Sequence, residues 1–173
     1  FNLDDVDKAW RDHIDYRWNR DAVLAALHDL HGLQLQEEAL QTAHKVSYYI
    51  NKDIAPQGIP EHVIREKLGR TAHHASLIVT HGVFVDILPK RASKGRAVRF
   101  VGNKWHIPLK DTIVFGDAGN DLDMFTGATR GVVVGNHSPD MEVLRDQRRV
   151  YFSEHPSAAG ILDGLRRFNF HIR

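Results

Sequence analysis

Cysteine is absent from all 173 residues. That excludes disulfides, a thiolate nucleophile and any Cys-based zinc or iron–sulfur centre. Long apolar runs are absent too. Gly131 to Gly135 is among the longest, against the roughly 20 residues a membrane-spanning helix needs. No signal-peptide pattern is legible, and the expected location is the cytoplasm. An excess of charge of one sign is also missing. Lys and Arg number 23, Asp and Glu 22, for a net charge of +1. No global field is available to hold nucleic acid or an anionic membrane, so neither is expected as a partner. What is present is 42% hydrophobic and 26% charged residues, the balance of an ordinary soluble globular protein.

The small net charge hides an asymmetry. Residues 1–88 hold 9 basic and 13 acidic side chains, while residues 89–173 hold 14 basic and 9 acidic. Such a shift hints at two units with different ligands.

In the first half, Trp10, Ile14 and Trp18 fall at i, i+4 and i+8, which predicts one helical face. A second helix is predicted from Arg20 to Leu30, with Gly32 as a stop. His44 to Asn51 is β-branched and aromatic and predicts a strand. Pro60 opens a helix from Glu61 to about Gly69. Ser76–Thr80, His81-Gly82 and Val83–Leu88 predict a hairpin, the glycine supplying the positive φ of a tight turn.

The second half alternates helix and strand. Ser93 caps a predicted helix from Lys94 to about Trp105. Thr112 to Phe115 is a short apolar strand closed by Gly116, and a polar loop leads into a helix carrying Leu122, Met124 and Phe125. Gly131 to Val134 is a second strand. Ser138-Pro139 opens a helix to about Arg145, Arg149 to Phe152 is a third strand, and Ala158 to Phe168 is the last helix. This alternation predicts an α/β fold with a parallel sheet covered on both faces.

Ligands of open parallel α/β sheets bind beyond the carboxyl ends of the strands. The segment expected there is Gly116-Asp117-Ala118-Gly119-Asn120-Asp121, unusually polar for a strand-to-helix turn. Asp117 and Asp121 offer hard oxygens, which suit Mg²⁺. Asn120 can bond a ligand or orient a carboxylate. Helix capping alone explains a single Asp or Asn here, but accounts poorly for two acids, one Asn and two Gly in six residues. Lys94 is a second candidate. It stands in the first turn of its helix, where a cation opposes the helix dipole, so an anion held at the same helix end is expected.

The 12 histidines include His28/His31 and His73/His74, but the three or four convergent ligands of a zinc site are not legible. Neither Gly-x-Ser-x-Gly nor a Walker loop occurs.

Ser93-Lys94-Gly95 followed by Gly116-Asp117-Ala118-Gly119-Asn120-Asp121 resembles motifs III and IV of the haloacid dehalogenase-like (HAD) phosphohydrolases. The stretches HKVSYYI (44–50), VDILPKRASKGRAV (85–98) and IVFGDAGNDLDMF (113–125) resemble the sucrose-phosphate phosphatase family, and equally the phosphatase-like C-terminal domain of sucrose-phosphate synthases. The likeness extends to the Trp10 and Trp18 region and to Phe168-Asn169-Phe170.

That resemblance implies an HAD-like Rossmannoid core, present in part, with an inserted α/β cap. Residues 1–88 would be mostly the substrate-specificity cap, and residues 89–173 the C-terminal part of the core. Asp117 matches the acid that binds Mg²⁺ directly, Asp121 the second acid, which holds metal or its waters, and Lys94 the lysine that stabilises nucleophile and phosphoryl group. Asn120 belongs to the same motif. Gln41 and Lys45 are candidate sugar contacts in the cap. The implied activity is Mg²⁺-dependent release of phosphate from a sugar phosphate, sucrose 6-phosphate first.

The sequence departs from the pattern at motif I. The family's nucleophile is the first Asp of a DxD motif on the first core strand, with a Ser or Thr of motif II after it, and neither is recognisable. Asp5-Val6-Asp7 has the spacing, but no hydrophobic strand precedes it. Ala118 stands where the family often has Ser. With Phe1 in place of Met, this suggests a chain lacking the first part of its domain. The alternative is a non-catalytic sucrose-phosphate-binding domain of a synthase, fused to a glycosyltransferase. A receiver-like signalling domain also uses Asp and Lys on an α/β sheet, but the hairpin-containing first half argues against it.

Overall fold

The computed structural model describes residues 7–69 and 74–170. The chain divides into two compact units, Phe1–Ala92 and Ser93–Arg173.

The first unit places helices on one face of an antiparallel sheet. Helix α1 spans Lys8–Asp15 and α2 Arg20–Leu27. Strands β1 (Leu33–Leu35) and β2 (Val46–Ile50) follow, then α3 (Glu61–Leu68), β3 (Ala75–Thr80) and β4 (Phe84–Pro89). The sheet order is β1-β2-β4-β3, with Ser47 opposite Asp86 and Val79 opposite Val85. Alternation along β4 turns Val85 and Ile87 inward. They meet Val46, Tyr48 and Ile50 of β2, Val23 and Leu27 of α2, and Ile64 and Leu68 of α3. Each large apolar side chain so buried contributes roughly 1.5–3 kcal/mol. Burial also pushes the Tyr48 phenol up to about 12.

The expected hairpin forms between β3 and β4, turning through His81 (φ 53°) and Gly82 (φ 62°). The expected helix through Trp18 does not. Helix α1 ends at Asp15, because Arg17 takes φ 58° and Asn19 already caps α2 by accepting from the Ala22 N–H at 2.9 Å. Trp18 instead packs against the sheet core, and its indole donates to the Ala43 carbonyl at 2.8 Å. Helix α2 stops at Leu27 rather than Leu30. Strand β1 has no counterpart in the sequence expectations, since three residues, Leu-Gln-Leu, give no readable period.

The second unit is a parallel layer. Helix α4 (Lys94–Lys104) leads to β5 (Ile113–Gly116), β6 (Arg130–Val133) and β7 (Val150–Phe152), and α5 (Ser157–Arg167) closes it. The order is β5-β6-β7, all parallel. Val114 and Val133 pack with Phe125, Met141 and Leu144. Ser93 caps α4, accepting from the Arg96 N–H at 3.3 Å. Asp163 of α5 accepts from Tyr151 and Ser153, which ties the helix to β7 and holds its carboxyl below the ordinary range.

Two segments expected as α-helix, Gly119–Phe125 and Pro139–Leu144, are 3₁₀. Their bonds run i to i+3, as in Asp121 N–H to Ala118 (2.9 Å) and Met141 N–H to Ser138 (3.1 Å). Six or seven residues supply too few α-type bonds to offset nucleation.

Candidate active site

The site stands at the carboxyl end of β5. Immediately past Gly116 the backbone turns, and Asp121 folds back beneath the turn. Its carboxylate Oδ2 accepts from the Asp117 N–H at 3.0 Å, and its Oδ1 accepts from Lys94 Nζ. The Asp121 side chain is 3% exposed and that of Lys94 53%. The pair therefore has one foot in the protein and one in solvent.

Three neighbouring bonds fix this geometry. The Gly95 N–H donates to Asp123 Oδ1 at 3.0 Å, and Arg99 Nη2 donates to the Asp123 carbonyl at 3.0 Å and to Thr126 Oγ1. The first turns of α4 are thus clamped onto the 3₁₀ segment. The anion expected at the start of α4 is present within the chain: it is Asp121.

A cavity of about 310 Å³ opens here, lined among others by Lys94, Asp117, Asp121, Met124, Asn136 and Ser157. Asp117 is exposed, and no described side chain bonds its carboxylate. Lys94, Asp117 and Asp121 are brought together as one surface. Asn120 is exposed on the turn and does not line the cavity.

Gln41 and Lys45 belong to the first unit. The Gln41 amide is used at both ends: Nε2 donates to the carbonyls of Gln36 (3.0 Å) and Ser47 (2.9 Å), and Oε1 accepts from the Ser47 N–H (2.9 Å). It clasps the start of β2. Lys45 is half-buried and bridges Thr42 through its backbone. Gln41→Ala should leave the buried Ser47 N–H without its acceptor, a loss of about 1–3 kcal/mol. A thermal melt checks this; an unchanged melting temperature would remove the clasp and leave Gln41 free for a ligand.

Asp123, Arg99, Asn136 and Ser157 were not singled out from sequence. Asn136 follows the end of β6, and its Oδ1 accepts from the Ser157 N–H at 2.7 Å. A polar residue after each predicted strand was the available signal for Asn136. Nothing local marks Arg99, whose role depends on a partner 24 residues away.

Among the described residues, no group of three or more His, Cys, Asp or Glu converges as a metal cluster. The Asp5-Val6-Asp7 triplet lies mostly outside the described residues, as does His73. Among the described residues no helix is long and apolar enough to cross a membrane.

The α/β fold of this chain is that of the HAD-like hydrolases. The fold overlays the X-ray structure of the sucrose-phosphatase from Synechocystis sp. PCC6803 in complex with sucrose and phosphate, with TM-score 0.83 and 29% identity over 99% of this chain and 71% of that one. It is an α/β HAD-like Rossmannoid core with a cap. Residues 2–169 match the sequence pattern described as Sucrose-6F-phosphate phosphohydrolase, and the chain belongs to that family. Its relatives include a probable sucrose-phosphatase 3a of Arabidopsis thaliana, 28% identical over 94% of this chain and 40% of that protein. The mannosylfructose-phosphate phosphatase of Agrobacterium fabrum is 34% identical over 82% of this chain and 57% of that protein. The chain thus spans between two fifths and three fifths of the length of these relatives.

Proposed function

We propose that these residues form the metal- and phosphate-handling part, and the specificity cap, of a Mg²⁺-dependent sugar-phosphate phosphatase. The substrate is sucrose 6-phosphate, converted with water to sucrose and phosphate. The observation that carries this reading is the Lys94–Asp121 pair beside the open carboxylate of Asp117. Residues 1–88 serve mostly as the cap and residues 89–173 as core. The family match and the sucrose- and phosphate-bound relative support the choice of sugar.

Mg²⁺ fits this donor set in part. It is commonly held by one or two carboxylates and keeps several waters. Asp117 supplies the open hard oxygen, and Asp121, already bonded to Lys94 and the Asp117 N–H, orients the turn that presents it. When bound, the metal offsets phosphoryl charge in the transition state. Lys94 contributes a positive charge at the same mouth, half in solvent until substrate covers it, where it can neutralise a phosphoryl oxygen. The nucleophilic aspartate is not assigned to any described residue.

The 173-residue chain alone should bind inorganic phosphate yet release none from sucrose 6-phosphate. Sustained Mg²⁺-dependent release would overturn this and direct the search for a nucleophile to Asp4, Asp5 and Asp7. In an active protein carrying these residues, sucrose 6-phosphate should be preferred to trehalose 6-phosphate and mannosylfructose phosphate. Equal turnover of all three would refute the sugar assignment. There, Asp117→Asn should lower turnover on the order of 100-fold or more, because the transition-state charge loses its counter-ion. Unchanged activity and an unchanged Mg²⁺ titration would remove Asp117 from the metal site. The unrecognisable motif I favours a second reading, a sucrose-phosphate-binding domain fused to a glycosyltransferase. It would bind without turnover even in the full-length protein.

A further inference from the structure

The two ends of the parallel sheet carry opposite charge. Asp117, Asp121, Asp140 and Glu142 follow the carboxyl ends of β5 and β6, where the candidate active site lies. The amino ends carry arginine. Arg130 opens β6, Arg149 immediately precedes β7, and Arg166 and Arg167 stand in the last turn of α5, which runs back to the same rim.

Packing gathers these four. The Arg149 carbonyl accepts from the Gly131 N–H at 2.8 Å, so Arg130 and Arg149 stand side by side at the start of neighbouring strands. Val132, two residues along from Arg130, packs on α5, where a Cβ added at Gly164 would meet its Cγ2 at 2.4 Å. Strand alternation turns Arg130 to the same face, and its guanidinium carbon stands 5.9 Å from the centre of the Phe168 ring. Arg167 stands at the same 5.9 Å from the centre of the Tyr151 ring. All four arginines are exposed. Among the described residues none of them is in an ion pair. Asp163, the one acid of α5, is taken by the hydroxyls of Tyr151 and Ser153.

Helix polarity explains two of the four, since Arg166 and Arg167 suit the negative end of α5. Arg130 and Arg149 belong to strands, where no such field recruits them. Like charges 4 Å apart repel by about 1 kcal/mol even in water, so gathering them without an acid opposes folding. The aromatic faces under Arg130 and Arg167 hold two planar forks in place and leave their N–H edges open to an anion.

We infer that this rim is a docking surface for a short acidic segment, rich in Asp and Glu, of a partner protein. A guanidinium fork matches a carboxylate with two parallel hydrogen bonds. A long polyanion fits less well. The chain as a whole carries only +1, with 13 acids in residues 1–88, so beyond a Debye length of about 8 Å nothing adds to the attraction of the patch. A short segment needs only the patch. The rim lies at the opposite end of the strands from Asp117, so docking leaves the candidate active site open, and the inference does not rest on the phosphatase reading.

The test titrates the 173-residue chain into fluorescein-labelled Asp-Glu-Asp-Leu-Glu-Asp-Glu and reads anisotropy. The expected result is saturable binding that weakens on the order of tenfold when salt rises from about 20 to about 200 mM. Arg166→Gln with Arg167→Gln keeps helix propensity. It should melt as the parent does and bind on the order of tenfold more weakly, and adding Arg130→Gln should weaken binding further. Lys8→Gln with Arg11→Gln removes the same charge from α1 and should bind as the parent does. Four results would overturn the proposal. One is no saturable binding at low salt. Another is undiminished binding by the Arg166 and Arg167 variant, which would place the peptide elsewhere. A third is equal weakening in both double variants, which would mean net charge without a docking surface. The last is tighter binding, through the same arginines, of an oligothymidylate or of phosphatidylserine vesicles, which would make the partner a polyanion.

Discussion

Lys94→Ala is expected to lower the stability of the second unit by about 1–3 kcal/mol and to abolish phosphate binding at the mouth of the cavity. The sign is the informative part. From sequence alone, removing a cation from the first turn of a helix relieves an unfavourable dipole interaction, worth about 0.3–1 kcal/mol, so stability should hold or rise. The structure reverses this. Lys94 is the ammonium partner of Asp121, whose side chain is 3% exposed. Removing it leaves a buried carboxylate with only the Asp117 N–H and whatever water enters. Breaking a fully buried pair costs about 3–5 kcal/mol. Lys94 is itself half in solvent, so the smaller range applies. Thermal unfolding and a phosphate titration on the same protein decide it. A second variant, Lys94→Ala with Asp121→Asn, should recover part of the stability, because the uncompensated charge has gone, and none of the phosphate affinity. A single mutant as stable as the parent would show that Lys94 and Asp121 are not coupled, and the pairing would then lose its role in placing the lysine.

Gly95→Ala should be the more damaging change to the fold. An added Cβ would lie 2.3 Å from the Asp123 carbonyl oxygen and 2.4 Å from its carbon. Both are backbone atoms, which cannot rotate aside as a side chain could. Alanine is the better helix former by roughly 1 kcal/mol, which opposes the clash. Overpacking of a fixed contact costs typically 1–3 kcal/mol and sometimes more, and this approach is well inside contact distance. The clash is therefore expected to win by about 2 kcal/mol or more. The helix must also move off the 3₁₀ segment, which breaks the Gly95 N–H to Asp123 bond and draws Lys94 away from Asp121. The variant should lose both melting temperature and phosphate affinity. A melting temperature equal to or above the parent's would contradict the close approach of α4 to Asp123.

Much of the architecture was legible from residue order. The hairpin through His81-Gly82, the Ser93 cap, the helix after Pro60 and the three strands of the parallel sheet all follow from alternation, caps and turn residues. These signals work within a few positions of the chain. The polar turn Gly116–Asp121 was legible for the same reason, since its acids and glycines are adjacent in sequence. Local pattern failed where two local signals competed. Trp18 fits the period of α1, but Asn19 is also a helix cap, and the cap prevails because it satisfies an N–H that would otherwise be lost.

What the tertiary structure alone decided is how these residues are paired. Lys94 meets Asp121 across 27 positions, Gly95 meets Asp123 across 28, and Arg99 reaches Asp123 across 24. Nothing in composition or periodicity distinguishes a lysine awaiting an external anion from one already holding a buried carboxylate. Gln41 shows the same limit. As an isolated polar side chain it suits a sugar contact, but the return of β2 beside it uses its amide on backbone. Sequence determined the elements, because helix and strand preferences are properties of neighbours along the chain. The fold decided which charges are buried and which are open, because those depend on distances between segments that only packing brings together.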